Sequence, residues 1–172
     1  MAIDALVKPF LCLPLFKGLK PLQLTEIVRS AERIVYRAGD FIIEEDKSGD
    51  AAIVIVSGEA VRLDSADKNA PGEPVPEGSL VGELAMLVET IHSATVVANG
   101  PVRALRITRE NIHAQMADDP SLAEHMMNKI GARLQKLATE LRAIDQALSD
   151  IAHFEPRQTH ASARHEVSAS LH

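Results

Sequence analysis

Apolar and polar positions alternate over short distances through the middle of this chain and repeat every three to four residues toward its end. Leu22, Leu24, Ile27 and Val28 recur at helical spacing and predict a first short helix over residues 21–31. From Arg33 the rhythm shortens. The runs Phe41-Ile42-Ile43, Ala52-Ile53-Val54-Ile55-Val56 and Ala60-Val61-Arg62-Leu63 are divided by Gly39-Asp40, Lys47-Ser48-Gly49-Asp50 and Ser57-Gly58-Glu59. Short apolar runs punctuated by glycine turns predict a sandwich or roll. Residues 64–78, with Pro71, Pro74 and Pro76, predict a surface loop or a hairpin with an irregular tip. Residues 93–98 and 102–107 predict a closing strand pair about the Asn99-Gly100 turn.

Asp118-Asp119-Pro120-Ser121 predicts the start of a long helix, with acidic residues near its positive end and proline in its first turn. Met127, Ile130, Leu134, Leu137, Leu141, Ile144, Leu148 and Ile151 then follow at alternating steps of three and four. Such a heptad seam needs a partner. Packing on the chain's own strands would satisfy its first half. So regular a period toward the C-terminal end favours a self-associating coiled coil. Glu140 and Asp145 offer no attractive pair to a parallel dimer, and leucine at a with isoleucine at d also suits more than two strands. A homodimer is expected, with a tetramer as the alternative.

At 172 residues the chain suits one domain with an appendage. The expected organisation is a β-roll over 1–117, a dimerisation helix over 118–152 and a disordered tail over 153–172. That tail is rich in Ser, Ala, His, Glu and Arg, with little to bury. It is too short and polar for a helix-turn-helix domain, and the net charge of -6 argues against a nucleic-acid surface, so direct DNA binding is not expected. Cys12 is the only cysteine, which excludes an intramolecular disulfide, fits a reducing compartment and suits a buried small apolar position. The apolar run at residues 10–16 is broken by Pro14 and does not resemble a secretory signal. No run reaches the ~20 apolar residues of a membrane span, and a soluble, cytoplasmic protein is expected.

The chemistry concentrates in Val81-Gly82-Glu83-Leu84-Ala85-Met86-Leu87, followed by His92-Ser93-Ala94-Thr95. Gly82 permits close backbone approach. The amides of Leu84 and Ala85 are expected to stand free at a helix start, where partial positive charge favours a phosphate. Glu83 would repel that phosphate but can accept hydrogen bonds from a sugar hydroxyl. The pattern suggests a phosphate joined to a ribose.

These residues resemble the phosphate-binding cassette of the cyclic-nucleotide-binding domain family, of the cAMP receptor protein and protein kinase A regulatory subunit type. Leu13-Pro14-Leu15-Phe16-Lys17-Gly18-Leu19 and the turns Ala38-Gly39-Asp40, Ser48-Gly49-Asp50 and Val56-Ser57-Gly58-Glu59 resemble the same family in order and spacing. The resemblance covers roughly residues 13–137. It implies a mainly β fold with helices: a double-stranded β-helix or jelly-roll-like β-roll, a short N-terminal helix and a long C-terminal dimerisation helix.

The resemblance also implies roles. Glu83 would take the ribose hydroxyl, Gly82, Leu84 and Ala85 would present amides, and Ser93 and Ala94 would lie beside the phosphate. His92 stands where the family has a phosphate-binding arginine, and Ile91 where it has proline. Loss of a bidentate guanidinium contact removes roughly 2 kcal/mol, about 30-fold in affinity. A protonated His92 would restore part of this. Leu137 and Ala138 fall where the cAMP receptor has hydroxyl residues touching the base, and Thr139 would face another direction.

The leading expectation is a stand-alone module that senses cAMP or cGMP and signals through its long helix to an effector protein. The alternative is a degenerate pocket in a homodimeric interaction module, with Glu83 capping a helix start. A third reading adapts the roll to another anion or a haem-like group, with His92 as axial ligand. An enzyme is not expected, because no nucleophile and base stand at supportive spacing. No cofactor is required and no metal site is expected. The tail residues His153, His160, His165 and His172 lack compact spacing, and no clustered His-x-His ligands occur. His113 and His125 are expected on helix surfaces, and Met126 and Met127 in packing.

Overall fold

The computed structural model describes residues 3–63 and 72–152; the expected disordered tail lies outside the described residues. The chain divides into two units, Met1–Gly131 and Ala132–His172. Two helices open the first unit, α1 (Ile3–Cys12) and α2 (Pro21–Ser30). Eight strands follow: β1 (Glu32–Tyr36), β2 (Phe41–Ile43), β3 (Ser48–Gly49), β4 (Ala51–Ser57), β5 (Ala60–Leu63), β6 (Glu73–Val75), β7 (Leu80–Val81) and, after a 3-10 helix at Glu83–Met86, β8 (Thr90–Ile91). Strands β9 (Thr95–Ala98) and β10 (Val102–Thr108) lead into α3 (Arg109–Asp118) and α4 (Pro120–Ala152).

The strands form an antiparallel roll of two four-stranded sheets, ordered β1-β10-β4-β7 and β2-β9-β5-β6, with a small β3-β8 pair beside them. This is the mainly β roll, with its short N-terminal and long C-terminal helices, that the sequence implied. Strands β5 and β6 pair antiparallel, with Ala60 opposite Val75, while residues 64–71 of the expected loop or hairpin lie outside the described residues; Pro74 sits on the edge strand, where a missing N–H costs no ladder bond. The strands flanking Asn99-Gly100 do not pair with each other, contrary to expectation. Strand β9 pairs with β2 and β5, whereas β10 pairs with β1 and β4, so this turn carries the chain from one sheet to the other.

The near-continuous apolar sequence of β4 follows from burial on both faces. Ile53 and Ile55 point into the roll with Val81, Val96, Val102 and Ala104, while Ala52 and Val54 point to the helices. Leu105 and Ile107 of β10 join that helical side, where Phe10 and Phe16 also pack, their ring centroids 5.1 Å apart.

Helix α1 was not predicted; Pro9 lies inside it, and the buried Leu6 and Phe10 stand one turn apart and anchor it. Cys12 ends this helix exposed, not buried, because the apolar face turns through Leu6, Phe10 and Leu13. Helix α2 also departs from its predicted face. Leu22 is 71% exposed and Gln23 is buried in its place. Gln23 accepts from the Lys20 amide at 2.9 Å and donates to Asp119 Oδ2 at 2.7 Å and Ser121 Oγ at 3.0 Å, so its polar atoms are satisfied when buried.

Asp119 starts α4 as expected. Its Oδ1 accepts from the amide of Ser121 at 2.9 Å and the hydroxyl of Ser121 at 2.6 Å. Within the first unit, Met126 is buried and Ile130 packs on the helical side of the core, while Met127, the first residue of the predicted seam, is exposed. In the second unit the described residues 132–152 are all helical, and Leu134, Leu137, Leu141, Ile144, Leu148 and Ile151 are all exposed.

Candidate ligand-binding site

The candidate site is built where β7 runs into the 3-10 helix. Gly82 sits at φ 69° and ψ 29°, in the left-handed region that disfavours side chains, and this turns the chain sharply into Glu83–Met86. Ala85 and Met86 are buried and fix the inner side of the turn, while Glu83 and Leu84 are half-buried. The Ala85 amide donates to Gly82 O at 3.0 Å, so it closes the 3-10 turn and does not stand open as the sequence suggested. Leu84 O accepts from the amides of Leu87 at 3.0 Å and Val88 at 2.9 Å, which continues the tight winding.

His92 lies against this turn. A Cβ at Gly82 would fall 3.1 Å from His92 Cε1 and 3.3 Å from Ala51 O. A Cβ at Gly49 would fall 2.6 Å from Cε1 and Nε2 of the same ring and from Ala85 Cβ. Gly82, Ala85 and His92, named from sequence, therefore come together, and Gly49 joins them. The main chain of His92 is held by an amide bond to Lys47 O at 2.9 Å and by its carbonyl accepting from the Asp46 amide at 3.0 Å. Ser93 is exposed and Ala94 half-buried in the bend that follows.

Helix α3, which the sequence reading did not separate from the roll, grips the turn from behind. Thr108 caps it by accepting from the Asn111 amide at 3.2 Å. Arg109 Nε donates to Ala85 O at 3.0 Å, its terminal nitrogen donates to Gly49 O, and its amide donates to Asp50 O at 2.7 Å. One turn further along α3, His113 Nε2 lies 2.8 Å from Leu87 O, in position to donate. His113 is exposed on α3, as expected, and His125 is half-buried on α4, its Nε2 meeting Leu15 O at 2.9 Å. The Thr108-Arg109-Glu110-Asn111 stretch carried the signal for this helix, an N-cap residue followed by a polar first turn.

Beside Gly49, Asp50 accepts from Arg106 at 2.5 Å, and Arg106 also reaches Glu32 at 2.8 Å. The Arg106 hydrogen bond holds the Asp50 carboxyl below the usual carboxylate range. Among the described residues no group of three or more His, Cys, Asp or Glu side chains could hold a metal ion, and no helix is long and apolar enough to cross a membrane.

Residues 33–119 match the cyclic nucleotide-binding domain family, and the chain belongs to that family. It is 37% identical over 97 residues to a cAMP-dependent protein kinase regulatory subunit of Aspergillus fumigatus, a match covering 56% of this chain and 23% of that protein. The match thus spans about a quarter of the length of the fungal cAMP-dependent protein kinase regulatory subunits it is similar to. A cyclic nucleotide-binding-like protein from Brucella abortus is similar in structure, with a TM-score of 0.58 and 29% identity over 63% of this chain and 94% of the other. The N-terminal domain of a Streptomyces coelicolor transcriptional regulator shares the fold at a TM-score of 0.69 and 21% identity, covering 77% and 94% of the two chains. The Aspergillus relative is a regulatory subunit, and the Streptomyces protein is a transcriptional regulator.

Proposed function

We propose that this chain is a regulatory module that binds a cyclic nucleotide, cAMP or cGMP, in the cassette around Gly82 and signals through α4. The observation that carries the reading is the left-handed Gly82 leading into the Glu83–Met86 turn, in a chain of this family. Glu83 takes the ribose hydroxyl, and Gly82, Leu84 and Ala85 line the phosphate side with His92, Ser93 and Ala94. The module is regulatory and not catalytic, works in the cytoplasm, needs no cofactor and makes no direct contact with DNA. It divides into a roll over 1–117 and a dimerisation helix over 118–152. The exposed stripe from Leu134 to Ile151 supports a homodimer through α4, where burying six large apolar side chains supplies the driving force. Nucleotide binding alters the geometry of α4 and its access to an effector protein.

Calorimetric titration of the purified chain with cAMP and cGMP at pH 6 tests this. Saturable heat, with a rise in thermal midpoint, is expected at micromolar ligand. A second reading is favoured by His92 standing in the arginine position. In it, the pocket takes no nucleotide and the chain acts as a homodimeric interaction module. Folded protein giving no heat at millimolar ligand would establish that reading instead.

A further inference from the structure

Gly49, Gly82 and Ala85 enclose a slot, and His92 enters it edge-on. The Cβ position of Gly49 lies 2.6 Å from both Cε1 and Nε2, and that of Gly82 lies 3.1 Å from Cε1 and 3.7 Å from Nδ1. The N–C–N edge of the imidazole thus faces both glycines, and neither wall could carry a side chain without displacing the ring. Gly49 stands 43 residues from His92 in sequence, and Arg109 bonds the carbonyls of both Gly49 and Ala85, so the walls are fixed to each other. The main chain of His92 is pinned through Lys47 and Asp46, while the ring makes no hydrogen bond to any described residue. A polar edge is thus seated against the turn at Gly82 with no hydrogen bond to a described residue.

We propose that His92 is the anion-recognising group of this pocket, so that nucleotide affinity follows the protonation of one imidazole. The inference rests on the nucleotide-binding reading and specifies how the phosphate is met. A guanidinium is charged at every physiological pH, whereas an imidazole changes charge between about pH 5 and 8. The imidazolium brings two N–H donors and a full charge to a phosphate; the neutral ring brings one donor and none. The charged residues adjoining the ring along the chain or on the same turn are Glu83, Asp46, Lys47, Asp50, which is paired with Arg106, and Arg109, whose guanidinium is turned to the carbonyls of Gly49 and Ala85. The phosphodiester of a cyclic nucleotide stays anionic across the same range, so the ring is the titrating partner.

The test is calorimetric titration of the full chain with cAMP and cGMP at pH 6, 7 and 8, repeated for H92R, H92Q and H92A, with thermal melts confirming that each variant folds. Affinity of the unsubstituted chain is expected to fall about tenfold or more from pH 6 to pH 8. H92R is expected to bind more tightly with a flat profile, and H92Q and H92A to bind weakly with flat profiles. Equal affinity at pH 6 and pH 8 in the unsubstituted chain would overturn the proposal while leaving nucleotide binding intact. So would an H92A variant that binds as tightly or more tightly at pH 6, since the ring would then be a plug. Binding by H92R alone would place a competent pocket behind an inactive histidine. Silence from all four chains would overturn the nucleotide reading itself, and this proposal with it.

Discussion

Strand β10 and the later part of α4 are both built from leucine and isoleucine, yet they stand at opposite extremes of exposure. Leu105 is 1% exposed and Leu141 is 66% exposed. In β10 the apolar side chains alternate, two facing the helices and two facing the roll interior, and each finds neighbours within the same unit. In α4 they fall on one stripe at heptad spacing. A side chain that pays for its ordering inside the fold stabilises the monomer; one left on a regular stripe can contribute only when something else covers it. Identical chemistry therefore carries folding in one region and, on the reading proposed above, association in the other.

Matched truncations separate the two most sharply. Leu105→Ala should lower unfolding free energy by about 3 kcal/mol, independent of protein concentration, as read from chemical denaturation. A loss below about 1 kcal/mol would show that the site collapses around the missing volume. Leu141→Asp should leave the unit formed by residues 1–131 folded and abolish self-association in analytical ultracentrifugation, because it sets like charges in the centre of the seam. An unchanged association constant would remove α4 as the interface.

Acid provides the mildest perturbation. The Ser121 hydroxyl, then Gln23, hold the Asp119 carboxyl well down, to about 2. A depressed folded value means that the carboxylate favours the folded state above its unfolded pKa, near 4, and that this contribution is lost as pH falls toward 2. Thermal midpoints measured between pH 5 and pH 2 should therefore drop less for Asp119→Asn than for the unsubstituted chain. Parallel curves would show that the start of α4 contributes nothing to acid stability.

How much of this was legible in the sequence depends on the range over which each signal acts. The strands β2, β4, β5 and β10 could be read because alternation and glycine turns are local, and the start of α4 because Asp119-Pro120 is a local signal. Strand pairing is not local. A period of two says that residues 95–98 are extended but nothing of which sheet they join, so Asn99-Gly100 was read as a hairpin when it links two sheets. Helix α1, which carries Pro9, went unread because what holds it is the burial of Leu6 and Phe10 against residues distant in sequence. In the candidate site, the glycine turn and His92 were visible as a contiguous motif. Gly49 and Arg109 were not, because a glycine that clears room for a distant ring looks the same as one that only turns the chain.

The two contacts from α3 to the 3-10 turn have a consequence for how this protein breathes. Arg109 and His113 stand four residues apart and hold Ala85 O and Leu87 O, so that turn cannot peel away while α3 stays in place without leaving charged and polar donors unpaired. Local opening then involves both segments or neither. In amide hydrogen exchange, residues 84–88 and the first turns of α3 are therefore expected to open as one cooperative element, with a shared opening free energy and a common response to whatever occupies the turn.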